Sequence, residues 1–96
     1  MTTDENTTSA GYVDIYLLPV PERRVDEYRE QASAFGAIAK EHGALRYREF
    51  RGDDLGGFLG APDGTLQTAA VAEFSSRAHR DEVMDKVMAD PRVKEM

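Results

Sequence analysis

Arg80 is the first side chain to ask about, because of the company it keeps. On a wheel of 100° per residue it falls in the middle of a stripe made by Val83, Met84, Val87 and Met88. An arginine there either lays its stem on the core with its head in water, or aims its head at a carboxylate. Its rarer use is to hold an anionic ligand. Two short alternating stretches offer carboxylates and phenols. Asp14 lies between Tyr12 and Tyr16, and Glu49 follows Tyr47 at the same spacing. Tyr12, Asp14 and Tyr16 can line a cleft between two sheets with Tyr47 or Glu49, for a small anionic or aromatic ligand, although tyrosines between sheets more often serve as packing. His42 comes just before a helix-stopping glycine. Its ordinary role is a cation favoured by the helix dipole, and a general base would need an orienting partner. His79 falls about 100° from Arg80, on the expected solvent side, where no apolar pocket would receive a haem. The candidate ligand-binding residues are therefore Arg80, His42, Tyr16, Asp14, Tyr47 and Glu49.

No catalytic set is legible beside them. The chain has no phosphate-binding glycine loop and no nucleophile elbow. With two histidines, no cysteine and no paired-histidine spacing, neither a metal nor another cofactor is expected. Asp53 and Asp54 sit in a glycine-rich stretch without the spacing of a calcium loop, and read as a solvated turn. The net charge is −6, from 12 basic and 18 acidic residues. That balance argues against nucleic acid, whose binders neutralise phosphates with a basic face. No stretch approaches a membrane span. The absence of cysteine fits a cytoplasmic protein.

The elements that must carry these residues can be read from periodicity. Residues 12–18 alternate as a strand, with Val13, Ile15 and Leu17 on one face and Tyr12, Asp14, Tyr16 and Leu18 on the other. Pro19 and Pro21 lack ladder N–H groups and are expected to end it. A helix is predicted near 22–42, with a stripe of Val25, Tyr28, Ala32, Phe35, Gly36 and Ala39, stopped at Gly43. "ALRYREFR" alternates as a second strand, and which of its faces turns inward is ambiguous. A loop rich in glycine precedes a third strand, "TLQTAAVAEF". Ser75 or Ser76 caps a helix near 76–89, ended by Asp90-Pro91, and "RVKEM" can add one more turn. Residues 1–10 are polar and read as a disordered tail, leaving 11–96 as a single domain. The order β-α-β-β-α lacks only a last strand to complete the ferredoxin-like split unit, an α+β fold with an antiparallel sheet. Two helices cover one sheet face. The face carrying Tyr12, Tyr16 and Leu18 is expected to point away from them and to meet a second copy of the chain.

Several stretches then match a known pattern in order: "YVD" with "LPVP" (Tyr12–Asp14, Leu18–Pro21), Tyr28-Arg29, "EHGALRYRE" (Glu41–Glu49), Asp53-Asp54, "SRAHRD" (Ser76–Asp81) and "KVMADPR" (Lys86–Arg92). Over residues 12 to 92 the chain resembles the bacterial YbaA-like family, domain-of-unknown-function family 1428. The resemblance implies a ferredoxin-like fold of the dimeric α/β-barrel group and a homodimer, with no established activity. The chain departs from the family pattern at Ile15, where glycine is usual. It departs again in a short loop from Gly52 to Thr65, and in the small residues of the third strand. The family's closing strand, rich in glycine and aromatics, is also missing, so the expectation is either that the chain is cut short or that its sheet edge is completed in another way.

Two functional expectations follow. One is a homodimeric small-ligand-binding or interaction module without turnover. The other, by analogy with related dimeric barrels, is a cofactor-independent oxygenase- or isomerase-like enzyme. Whether the chain is an enzyme is left open by its residues.

Overall fold

The computed structural model describes residues 11–53 and 62–96. The predicted tail at 1–10, and the part of the glycine-rich loop from 54 to 61 that includes Asp54, lie outside the described residues. The chain is α+β, with three antiparallel strands in an open sheet and its helices on one face. Strand β1 is Tyr12–Pro21, β2 is Arg46–Arg51 and β3 is Thr65–Phe74. Helix α1 is Val25–Glu41, entered through a 3₁₀ turn at Glu22–Arg24. Helix α2 is Arg77–Ala89, and a last short helix, α3, is Pro91–Lys94. The strand order is β1-β3-β2. Helix α1 packs mainly on β2, and α2 on β3 and β1.

Local chemistry explains most of the boundaries. Gly43 has φ of 120°, and the N–H of Ala44 reaches back to the Ala39 carbonyl at 3.0 Å while Gly43 bonds Lys40 at 3.1 Å. This pair of bonds satisfies the last carbonyls of α1 in a left-handed cap that glycine adopts without strain. Ser76 caps α2 by accepting from the His79 N–H at 3.0 Å. Asp90, extended before Pro91, ends α2 and caps α3 in turn.

Strand β1 does not end at Pro19. It runs to Pro21, paired with Thr65. The register puts the even residues of β1 in the hydrogen-bonded positions, since the Glu22 N–H continues the ladder onto the Gly64 carbonyl at 2.9 Å. Pro19 and Pro21 therefore turn their missing donors toward the outer edge of β1, where no strand of the described residues needs them.

The two faces of the sheet are the reverse of the expectation. Opposite residues share a face, and Tyr12 pairs with Phe74, Asp14 with Ala72, and Tyr16 with Ala70. Phe74, Ala72 and Ala70 are buried on the helix side. Tyr12, Asp14 and Tyr16 thus lie under the helices, and Tyr47 and Glu49 join them across β3. The core they border is built from Phe74, Val83, Val87, Ala39, Ala44 and Ala72. On the far face Val13, Ile15, Leu17 and Phe50 remain 43%, 61%, 52% and 46% exposed. Both faces of β1 are largely apolar, so alternation alone could not choose between them. Two helix stripes also shift slightly. Ile38 is buried in α1, and Met88, placed on the α2 stripe by the wheel, is exposed.

Gly36 lets α1 come down on β2. A Cβ there would lie 2.5 Å from Cδ2 of Tyr47. Replacing Gly36 with alanine is expected to lower stability by about 1–3 kcal/mol despite alanine's better helix propensity, because the ring has to move. Urea denaturation checks this; unchanged or increased stability would show that the tyrosine moves freely.

Candidate functional site

The small residues of β3 make the site possible. Ala70 and Ala72 leave the middle of the helix-side face low, so longer side chains from the two outer strands stand over it. Asp14 and Tyr16 come from β1, Tyr47 and Glu49 from β2. The side chains form two clusters.

The first cluster centres on Asp14. Arg80 Nη1 donates to Asp14 Oδ1 at 2.6 Å, and its Nη2 donates to the Tyr12 hydroxyl at 3.2 Å. The guanidinium carbon also stands 5.0 Å from the centre of the Tyr12 ring. The Tyr16 hydroxyl donates to the other oxygen of Asp14 at 3.3 Å, and Arg80 Nε reaches Asp81 at 2.8 Å. Both members of the Arg80–Asp14 pair are largely buried. The odd arginine of the α2 stripe therefore aims at a carboxylate, with all three of its nitrogens hydrogen-bonded. Burial, and then Asp14, push the Tyr16 phenol up from its ordinary pKa.

The second cluster centres on Glu49. Tyr28 of α1 donates to Glu49 Oε1 at 2.9 Å, and Tyr47 donates to Oε2 at 2.5 Å. Thr68 donates to the Leu18 carbonyl at 2.9 Å and lies 3.4 Å from the Tyr28 oxygen. Burial raises the pKa of Tyr47 strongly, and Glu49 raises it further. Burial also raises that of Tyr28, with Thr68 acting in the opposite sense and Glu49 adding to the rise. Both phenols therefore keep their protons through the neutral range. The Tyr47 ring is held between Gly36 and Phe35, whose ring centre is 5.8 Å away.

This second cluster floors a cavity of about 510 Å³ between α1 and β2. Its walls include Val25, Ala32, Gly36, Ala37 and Leu66, and Arg29, Lys40 and Arg51 also border it. A volume of this order suits a small organic ligand.

His42 belongs to neither cluster. Its Nε2 lies 2.9 Å from Asp90 Oδ2, tying the end of α1 to the start of α3. Asp90 also accepts from the Arg92 backbone N–H and from its guanidinium, at 2.9, 3.1 and 2.8 Å. Arg92 in turn reaches Glu41 at 3.0 Å. His79 is not on the solvent side. It is half-buried, edge-on to Phe74, and its Nδ1 accepts from the Ser75 N–H at 3.0 Å. Asp53 is exposed. Among the described residues no three His, Asp or Glu side chains converge as a metal site requires. No helix of the described residues is long and apolar enough to cross a membrane.

Sequence reasoning thus found both carboxylates and the arginine, but missed Tyr28, Thr68 and Asp90. Tyr28 could have been suspected, since a phenol on an apolar helix stripe must find a partner for its hydroxyl. Asp90 carried a signal too, as the residue capping a turn that begins with proline.

The family model for DUF1428, described as a protein of unknown function, matches residues 11–96. The chain belongs to this family. The uncharacterized protein YbaA of Escherichia coli K12 is 34% identical over 98 aligned residues, covering 88% of this chain and 79% of its own. YbaA of Shigella flexneri matches to the same extent. The Asp14 and Glu49 clusters therefore have to be read from their own chemistry.

Asp90 gives a pH-dependent prediction. Arg92, then His42, hold its carboxyl far below the usual carboxylate range. A depressed carboxylate contributes stability above its unfolded pKa of about 3.9, and that contribution is lost as pH falls toward the folded value. Asp90→Asn keeps a capping oxygen but removes the charge. It is expected to melt several degrees lower than the parent protein at pH 7, with the gap narrowing as pH falls from about 4 to 2. Thermal melts across that range check it; a gap independent of pH would mean that the ion pairs contribute nothing.

Proposed function

We propose that the protein is a homodimeric small-ligand-binding module of the ferredoxin-like, dimeric α/β-barrel type. The observation that carries this reading is the cavity between α1 and β2, floored by a carboxylate that two phenols hold in place. A site fixed before a ligand arrives loses little ordering entropy on binding. The strand order and antiparallel pairing support the split-unit topology, whose fourth strand would lie along the outer edge of β1.

The homodimer has its own support in the open sheet face. Val13, Ile15, Leu17 and Phe50 form a continuous apolar patch there. Burying one such side chain is worth roughly 1.5–3 kcal/mol, and a two-fold axis doubles each contribution. The contact face is thus the one opposite Tyr12 and Tyr16. The enzyme alternative has less behind it. Glu49 already accepts from two phenols, and His42 pairs outside the cavity, so among the described residues no free base faces the space where a substrate would sit.

Amide spectra recorded while titrating a set of small aromatic acids, phenols and amines are expected to shift at Tyr28, Gly36, Tyr47 and Thr68 together. Shifts confined to other surfaces would defeat the ligand-binding reading.

The dimer has a separate check. In sedimentation at micromolar concentrations the parent chain is expected to run as a dimer and Ile15→Glu as a monomer. A parent chain that is monomeric throughout, or an unaffected Ile15→Glu, would remove the proposed contact.

A further inference from the structure

The polar groups around the cavity also say what kind of molecule it would take. This inference rests on the cavity being a ligand seat. At its floor the two phenol protons and the Thr68 proton are committed. The Tyr28 and Tyr47 hydroxyls both donate to Glu49, and Thr68 donates to the Leu18 carbonyl. What is left facing the cavity is acceptor capacity, from the carboxylate lone pairs and the two phenol oxygens. A ligand reaching this floor has to bring a hydrogen-bond donor, or it strands polar groups without partners.

The border of the cavity has the opposite character. Arg29, Lys40 and Arg51 all line it. None of the three forms an ion pair with a carboxylate of the described residues. In a chain with 18 acidic and 12 basic residues, a cavity lined by three cations and one carboxylate departs from the average charge. Their formal charge exceeds that of Glu49, so the cavity as a whole favours an anion. Between floor and border the wall is mostly apolar, from Val25, Ala32, Ala37 and Leu66, with the Ser33 hydroxyl as its polar group.

We infer that the cavity binds a small hydroxyaryl carboxylate, with its hydroxyl donating to Glu49 and its carboxylate held by the cationic border to which Arg29, Lys40 and Arg51 contribute. The ring occupies the apolar stretch between them. A simple amine would satisfy the floor but meet three like charges at the border. A carboxylate without a donor would satisfy the border and leave the floor unmatched.

The test is a titration followed by amide shifts and calorimetry, with five probes: 4-hydroxybenzoate, 3-(4-hydroxyphenyl)propanoate, benzoate, 4-hydroxybenzyl alcohol and tyramine. One of the two hydroxy acids is expected to bind at least tenfold tighter than each of the last three. Its affinity should fall as salt rises, because the cationic groups are exposed. The Arg29→Gln, Lys40→Gln double variant should lose the preference for the acid over the alcohol while keeping the fold, as read from its amide spectrum. Equal binding of benzoate and the hydroxy acids would overturn the donor requirement. Tighter binding of tyramine or the alcohol, with shifts at the cavity amides, would overturn the ligand class and leave the ligand seat standing. No shift at those amides with any probe at millimolar concentration would remove both.

Discussion

The contact between Arg80 Nη1 and Asp14 Oδ1, at 2.6 Å, ties the inner face of β1 to α2. A strand has only two ways to lie on a helix layer, and a slip of one residue exchanges every side chain between the faces. The alternative register would put Val13, Ile15 and Leu17 beneath the helices and carry Asp14 to the open face. It would also leave Arg80 on the inner face of α2 without its partner on the sheet, bonded to Asp81 alone. A guanidinium at the edge of a small core that keeps only the exposed Asp81 is more damaging than an exposed isoleucine, since part of its lost hydration is then not replaced. The pair therefore works as a register pin. Tyr12 and Tyr16 complete it by bonding to the arginine and the aspartate.

Once β1 is pinned in this way, the other features follow from size. The inner face receives two tyrosines and an aspartate from β1, and a tyrosine and a glutamate from β2. Such bulk fits only if the strand between them is nearly bare, and β3 supplies Ala70 and Ala72. Gly36 plays the same part on the helix side by letting α1 settle against the Tyr47 ring. Small residues on β3 and α1 thus make room for large polar ones on β1 and β2. The outcome is a polar lining, bonded internally, beside a cavity.

The order of elements was legible because it rests on local rules: period two, period 3.6, a serine cap, a stopping glycine and Asp90-Pro91. The orientation of β1 was not, because both of its faces satisfy the pattern for burial. Asp14 held the clue, but only together with Arg80, 66 residues later in the chain. The reach of the strand through Pro19 and Pro21 failed for a related reason. A proline ends a ladder only on the side where a neighbour needs its N–H, and sequence does not say which side is open. His42 was legible as a residue at a helix end, while its partner Asp90, 48 positions away, depended on the packing of α1 against α2 and α3. The candidate acids and phenols were found because alternation put them in register. Tyr28 escaped notice because a helix wheel treats a tyrosine as apolar and ignores its hydroxyl.

The same pinning explains why the open face is as apolar as it is. With Tyr12, Asp14 and Tyr16 committed inward, the residues that alternate with them are forced outward, and those are Val13, Ile15 and Leu17. Across β3 the outward row continues through Ala69 and Val71 to Phe50, and then changes character. Arg46 and Arg48 stand on β2, with Arg48 bonded to Glu73 at 3.2 Å. The face therefore has an apolar half along β1 and β3 and a charged margin along β2. An apolar centre bounded by charges is the pattern expected of a surface that meets another protein. The cavity lies on the opposite side of the same sheet, and β2 contributes to both: Tyr47 and Glu49 inward, Arg48 and Phe50 outward.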